Sequence, residues 1–235
     1  MRVASLLQLI ALCSLATAHP VEQVRSDVSK RAFSTEVLER RESLQNLACV
    51  AAPENSRVNY VSNPALRQDV TEGQVGVALT LQVTVVDVTT CKPMSNVMVE
   101  VWSSNALGNY GSSFLRGGFT TSSSGVAEFQ TIFPGHTSDG ANHINLMIHS
   151  SSSMSGTVSH VGQVFFTDQW TNIVSMYSNY AGNTHQRILN AQDPNYKTAT
   201  NTGYNPLVDI SSIHDDWPEG VIGKITVGID PSRKV

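Results

Sequence analysis

Two short stretches carry the residues best suited to chemistry. The first is Phe133-Pro134-Gly135-His136-Thr137-Ser138-Asp139-Gly140-Ala141-Asn142-His143-Ile144-Asn145. It opens on a turn signal, crosses a polar loop and enters an apolar strand, His143 to His149. Side chains two apart on a strand share a face. His143, Asn145, Met147 and His149 therefore point one way, and Ile144, Leu146 and Ile148 the other. A His-x-His pair on one strand face chelates a metal ion well, but here the second position is Asn145. The other stretch, Val99-Glu100-Val101-Trp102-Ser103-Ser104-Asn105-Ala106-Leu107-Gly108-Asn109-Tyr110, ends in a loop tyrosine. Its phenol is a hard oxygen donor of the kind a metal site takes. It is also a residue that often sits buried in a loop, bonded to backbone.

Together these stretches resemble the intradiol ring-cleaving dioxygenases, in particular their secreted fungal branch. That family carries V-D-I-W-H-C-N-x-x-G-x-Y-S and later F-P-G-H-Y-x-x-R-x-x-H-I-H. Four more segments resemble it in the same order: Thr71-Glu72-Gly73-Gln74, Asp87-Val88-Thr89-Thr90-Cys91-Lys92-Pro93, Phe114-Leu115-Arg116-Gly117 and His160-Val161-Gly162-Gln163-Val164-Phe165-Phe166. The resemblance implies an all-β fold, an antiparallel β-sandwich of the intradiol dioxygenase type with an N-terminal helix. It implies Fe(III) held by two tyrosines and two histidines, and oxidative ring cleavage of a small catechol-type aromatic. Carried over position by position, Tyr110 and His143 fall on retained ligand positions. Thr137 stands where the second tyrosine belongs, and Asn145 where the second histidine belongs. Gly140 replaces an arginine beside the substrate, so Gly140, His136 and Asp139 are the expected substrate-pocket residues.

The two substitutions divide the functional expectation. A threonine hydroxyl replaces an anionic phenolate, and an amide replaces an imidazole. Metal preference follows ligand type and geometry, so one Tyr and one His make a poor ferric site. Asp139 or His149 is the candidate to replace a lost donor; otherwise Thr137 and Asn145 hydrogen-bond in a polar pocket without a metal, the preferred reading. The expectations are an altered iron enzyme, an aromatic-binding pseudoenzyme with no resident cofactor, or a repurposed metal-independent enzyme of secondary metabolism.

The elements that position these residues read from patterning. Val77 to Val88 alternates, with Leu79, Leu81, Val83 and Val85 on one face, as in a half-buried strand. Val97–Trp102, Val126–Ile132, His143–His149, His160–Phe166 and Ile222–Ile229 are further strand candidates, several separated by Gly and Ser clusters. Residues 168–220 read as irregular, with one short helix near Asn172–Ser178. Trp102, Trp170 and Trp217 read as packing residues.

Bulk properties bound the rest. The 235 residues carry 14% charged side chains and a net charge of -4, with no basic stripe, so nucleic acid is not an expected partner. Residues 1–18 read as a secretory signal peptide: one arginine, a short apolar core and the Ala16-Thr17-Ala18 end. The apolar core is shorter than the ~20 residues a spanning helix needs, so no membrane anchorage is expected. Residues 19–48 form an expected helical segment, and 49–235 the sandwich domain of an extracellular protein. Cys13 leaves with the leader. Cys49 and Cys91 remain, as a disulfide or as two free thiols. There is no N-x-S/T sequon. There is also no G-x-S-x-G elbow and no phosphate loop, which excludes those hydrolase and nucleotide signatures.

Overall fold

The computed structural model describes residues 49–235. The expected leader and N-terminal helix lie outside the described residues. Among the described residues nine strands, numbered in chain order, form two sheets, with two α-helices and several short 3-10 turns between them.

The first sheet contains β1 (Ala78–Asp87), β2 (Lys92–Pro93), β5 (Val126–Ile132), β8 (Asp209–Ser212) and β9 (Val221–Ile229). Strand β1 pairs with β2 and β5 along one edge and with β9 along the other, and β9 pairs with β8. The second sheet runs in the order β4 (Arg116–Thr120), β3 (Met98–Trp102), β6 (His143–His149), β7 (Val158–Phe165). All its pairings are antiparallel. The first sheet departs from the expected all-antiparallel pattern: β1 and β9 are parallel, in register from Leu79 opposite Val221 to Asp87 opposite Ile229. Parallel neighbours need a crossover rather than a hairpin. Here most of the chain, including the whole second sheet, intervenes between the two strands.

Alternation explains the core. Leu79, Leu81, Val83 and Val85 of β1 join Val99 and Val101 of β3, and Ile144, Leu146 and Ile148 of β6, in one buried apolar cluster. The opposite face of β6 is also sealed, since all seven of its residues are buried. Trp102, Met147 and Val161 make a second small cluster on that outer face, with Tyr60, Tyr110 and Val158 packed against it. Trp102 is thus a packing residue, though outside the main core, and its indole donates to the Val58 carbonyl. Trp170 and Trp217 pack against the main core.

Two helices occupy the stretch that reads as irregular. Helix α1 (Asp168–Ser175) starts at Thr167, whose hydroxyl accepts from the Trp170 amide. It begins four residues earlier than its sequence expectation. Helix α2 (Pro194–Asn201) starts at Asp193, whose carboxylate accepts from the Asn195 and Tyr196 amides, with Pro194 in the first turn. Both are capped in the usual way by a short oxygen-bearing side chain. Cys49 and Cys91 are joined in a disulfide, Cα–Cα 5.4 Å. Among the described residues no helix is long and apolar enough to cross a membrane.

Candidate functional site

Tyr110 comes from the loop between β3 and β4. Asn105 shapes that loop by accepting from the Leu107 and Asn109 amides. Gly108 follows with φ +81, and a Cβ there would lie 2.4 Å from the His136 carbonyl oxygen. Only glycine meets both demands. Ser104 ties the loop to the Pro134–Gly135 turn by donating to the Gly135 carbonyl at 2.6 Å.

His143 and Asn145 open β6, on the face away from the main core. The Tyr110 hydroxyl lies 3.3 Å from His143 Nε2. Roles within this pair follow from the other ring nitrogen. His143 Nδ1 is 2.7 Å from the Ala141 carbonyl, which only accepts. Nδ1 therefore carries the proton, and Nε2 accepts from Tyr110. Burial holds the His143 imidazole below its ordinary pKa of 6.5. Burial likewise pushes the Tyr110 phenol up to about 12, against a smaller downward pull from the Asn145 hydrogen bond. Both groups are neutral near pH 7.

Asn145 completes the arrangement. Its amide nitrogen faces the Trp102 carbonyl at 3.4 Å and the Tyr110 hydroxyl at 3.1 Å. The carbonyl can only accept, so the NH2 group takes that side. Asn145 Oδ1 accepts from Gln163 Nε2 at 3.0 Å, and Gln163 Oε1 accepts from Asn195 Nδ2 at 2.9 Å. The bonds form a one-way chain: Asn195 to Gln163, Asn145, Tyr110, His143 and finally the Ala141 carbonyl.

The other expected site residues lie around this chain without joining it. Thr137 is buried, and its hydroxyl accepts from the Asp139 amide at 3.2 Å. It makes no hydrogen bond to Tyr110, His143 or Asn145. Asp139 is exposed and accepts from Asn59 at 3.4 Å. His136 donates to the His185 carbonyl at 3.0 Å and braces the loops. Gly140 is buried against Asp193: a Cβ there would lie 2.6 Å from Asp193 Oδ2, which accepts from the Ala141 amide. His149 is engaged elsewhere, with Glu100 Oε1 at 2.5 Å and the Gly156 carbonyl at 3.0 Å.

Gln163, Asn195 and Asp193 were not singled out from sequence. Gln163 lies in a segment of the resemblance, but only the pairing of Asn145 with Gln163 across β6 and β7 shows its role. Nothing in the sequence marks Asn195, and Asp193 before Pro194 reads only as a helix start.

Fe(III) fits these donors poorly. Tyr110 is a phenol already donating to His143. Asn145 presents N–H rather than oxygen, and Thr137 turns to a backbone amide. Among the described residues no three His, Cys, Asp or Glu side chains gather in a metal-holding cluster.

No protein-family model and no curated protein matches the chain. Solved structures do. The chain is similar to the intradiol ring-cleavage dioxygenase from Tetranychus urticae, at 24% identity and TM-score 0.71, over 80% of this chain and 98% of that one. It is similar to the dioxygenase domain of a dioxygenase–carbohydrate-binding protein fusion from Streptomyces sp. SirexAA-E, at 20% identity and TM-score 0.55, over 75% and 96%. It is similar to 3-chlorocatechol 1,2-dioxygenase from Rhodococcus opacus 1CP, at 15% identity and TM-score 0.51, over 88% and 93%. These likenesses define the class at the level of fold: two sheets and few helices, arranged as in the intradiol ring-cleavage dioxygenases.

Proposed function

We propose that this chain is a secreted intradiol-dioxygenase-like protein that binds a small catechol-type aromatic and has lost ferric ring cleavage. Secretion rests on the leader pattern of residues 1–18. The aromatic ligand rests on the fold and on what the similar structures are named for. The observation that carries the loss is the Tyr110–His143 hydrogen bond backed by Asn145. Two would-be ligands satisfy each other, and a third position offers a donor hydrogen where a metal needs a lone pair. Tyr110 is the member of this group that reaches solvent, so a ligand meets its edge first.

Metal analysis of the purified protein, with oxygen uptake and tryptophan fluorescence during catechol titration, tests this. The expected result is iron far below one per chain, no catechol-dependent oxygen uptake and saturable binding. Tightly held iron at one per chain, with colour from phenolate-to-iron charge transfer, would overturn it and point to Asp139 as a replacement ligand. Turnover of an aromatic compound by iron-free protein would favour the repurposed enzyme instead.

A further inference from the structure

Arg116, the first residue of β4, lies opposite Trp102 in the sheet. It is only 3% exposed, yet its guanidinium is not neutralised. Arg67, Arg187 and Arg233 each face a carboxylate within ion-pair range. Arg116 faces none among the described residues. Its Nε donates to the Gly111 carbonyl at 2.6 Å. Its Nη1 is buried without any hydrogen-bond partner. Glu100 of the neighbouring strand does not fill the gap, because its two oxygens already take His149 and Tyr60.

A guanidinium cannot escape burial by losing its proton. A buried cation with free donors is therefore an incomplete pair, and what completes it is an anion. The surroundings give that anion a body and a direction. The Arg116 Cζ lies 6.0 Å from the centre of the Tyr110 ring. Trp102 and Tyr60 stack edge to face nearby, with centroids 5.2 Å apart. The other side of the site is negative: the fields of Asp193 and Asp139 both reach His143. In the Asn195-to-His143 chain, Tyr110, His143 and Asn145 are already engaged with one another and with backbone. The buried donor left without a partner at this site belongs to Arg116.

We propose that Arg116 is an anion-recognition residue, and that the ligand is an aromatic carboxylate whose carboxylate pairs with Arg116 and whose ring lies beside Tyr110. This rests on the reading of the site as one for a small aromatic molecule and narrows it.

The test is fluorescence titration of the purified full chain with benzoate, with benzyl alcohol as the neutral counterpart of similar size, and with catechol. In the wild type, benzoate binds about tenfold or more tightly than benzyl alcohol, the margin a hydrogen-bonded charge supplies. Arg116→Gln brings that ratio close to one. Arg116→Lys, which keeps the charge and loses the fork, retains part of it. Thermal melts report whether each variant is folded; if Arg116→Gln is not, the wild-type ratio and the Lys variant decide. Equal affinity for benzoate and benzyl alcohol in the wild type overturns the proposal. So does a folded Arg116→Gln protein that keeps the full preference. Catechol binding without a benzoate preference overturns this inference alone, whereas no binding of any of the three overturns the aromatic-ligand reading with it.

Discussion

Tyr110 Oη and His143 Nε2 lie 3.3 Å apart, a spacing that two neighbouring ligands of one small cation also adopt. With bonds of about 2.1 Å it corresponds to a ligand–metal–ligand angle of roughly 100°. The half of the site that remains is therefore shaped for an ion, and the other half carries the defect. Thr137→Tyr with Asn145→His is expected to restore iron to near one per chain, read by metal analysis and by a visible charge-transfer band. Gly140→Arg is a different matter, because Asp193 occupies the space the side chain needs. That substitution is expected to cost about 1–3 kcal/mol in urea unfolding, as overpacking does. Removing Asp193 to make room would sacrifice the cap of α2, about 1 kcal/mol more.

Among the elements, β3 and β6 are cross-linked on their outer face by a buried polar group. Glu100 accepts from His149 at 2.5 Å and from the Tyr60 hydroxyl at 3.0 Å, while His149 Nδ1 faces the Gly156 carbonyl. Both ring nitrogens meet acceptors, so the ring is held as an imidazolium. Burial alone would lower its pKa, but the bonds to Glu100 and Gly156 outweigh burial and raise it above 6.5. A raised folded-state pKa gives stability that is fully present below the unfolded value. That stability is lost as pH rises through the folded value. His149→Gln is thus expected to lower the melting temperature most below about pH 6 and progressively less at alkaline pH, seen in paired melts of both proteins across the range.

Legibility in the sequence followed the same elements. Strand β6 is bounded at His143 and His149 by its apolar alternation, and β5 by Val126 and Ile132, so both are readable. Strand β4 is not, because Gly117 and Gly118 look like a turn. They are glycines for close approach: a Cβ at Gly117 would lie 2.5 Å from Val70 Cγ1, and one at Gly118 2.8 Å from Met154 Sδ. Helix α2 is hidden by Asn195, Thr198, Thr200 and Asn201, poor helix formers held by the Asp193 cap. Within the site, His143 and Asn145 were readable as sharing a strand face, and Tyr110 through the resemblance of its stretch. Arg116, Gln163 and Asn195 become visible only through contacts between elements distant in sequence.

For the whole molecule, the Cys49–Cys91 disulfide ties the start of the described chain to the turn after β1. It spans 42 residues. Loop-closure entropy for that length predicts about 4 kcal/mol of stabilisation through the unfolded state. Cys91→Ser, or reduction with dithiothreitol, is expected to shift the urea midpoint downward by the corresponding amount, with little change in the native far-ultraviolet spectrum at low denaturant.

The parallel pairing of β1 with β9 has a consequence during synthesis. Strand β9 (Val221–Ile229) lies between β1 and β8 and is made more than a hundred residues after β1. While it is still in the exit tunnel, β1 waits with one edge unpaired, and β8 has no neighbour in its sheet. The second sheet, whose four strands end at Phe165, is already fully emerged and can pair first. The first sheet can close only once β9 has emerged, across more than a hundred residues of intervening chain, a pairing whose entropic cost makes it slow. Until then β1 exposes the hydrogen-bonding edge on which misassembly with other chains begins. Strand β9 thus controls when the nascent protein stops being aggregation-prone.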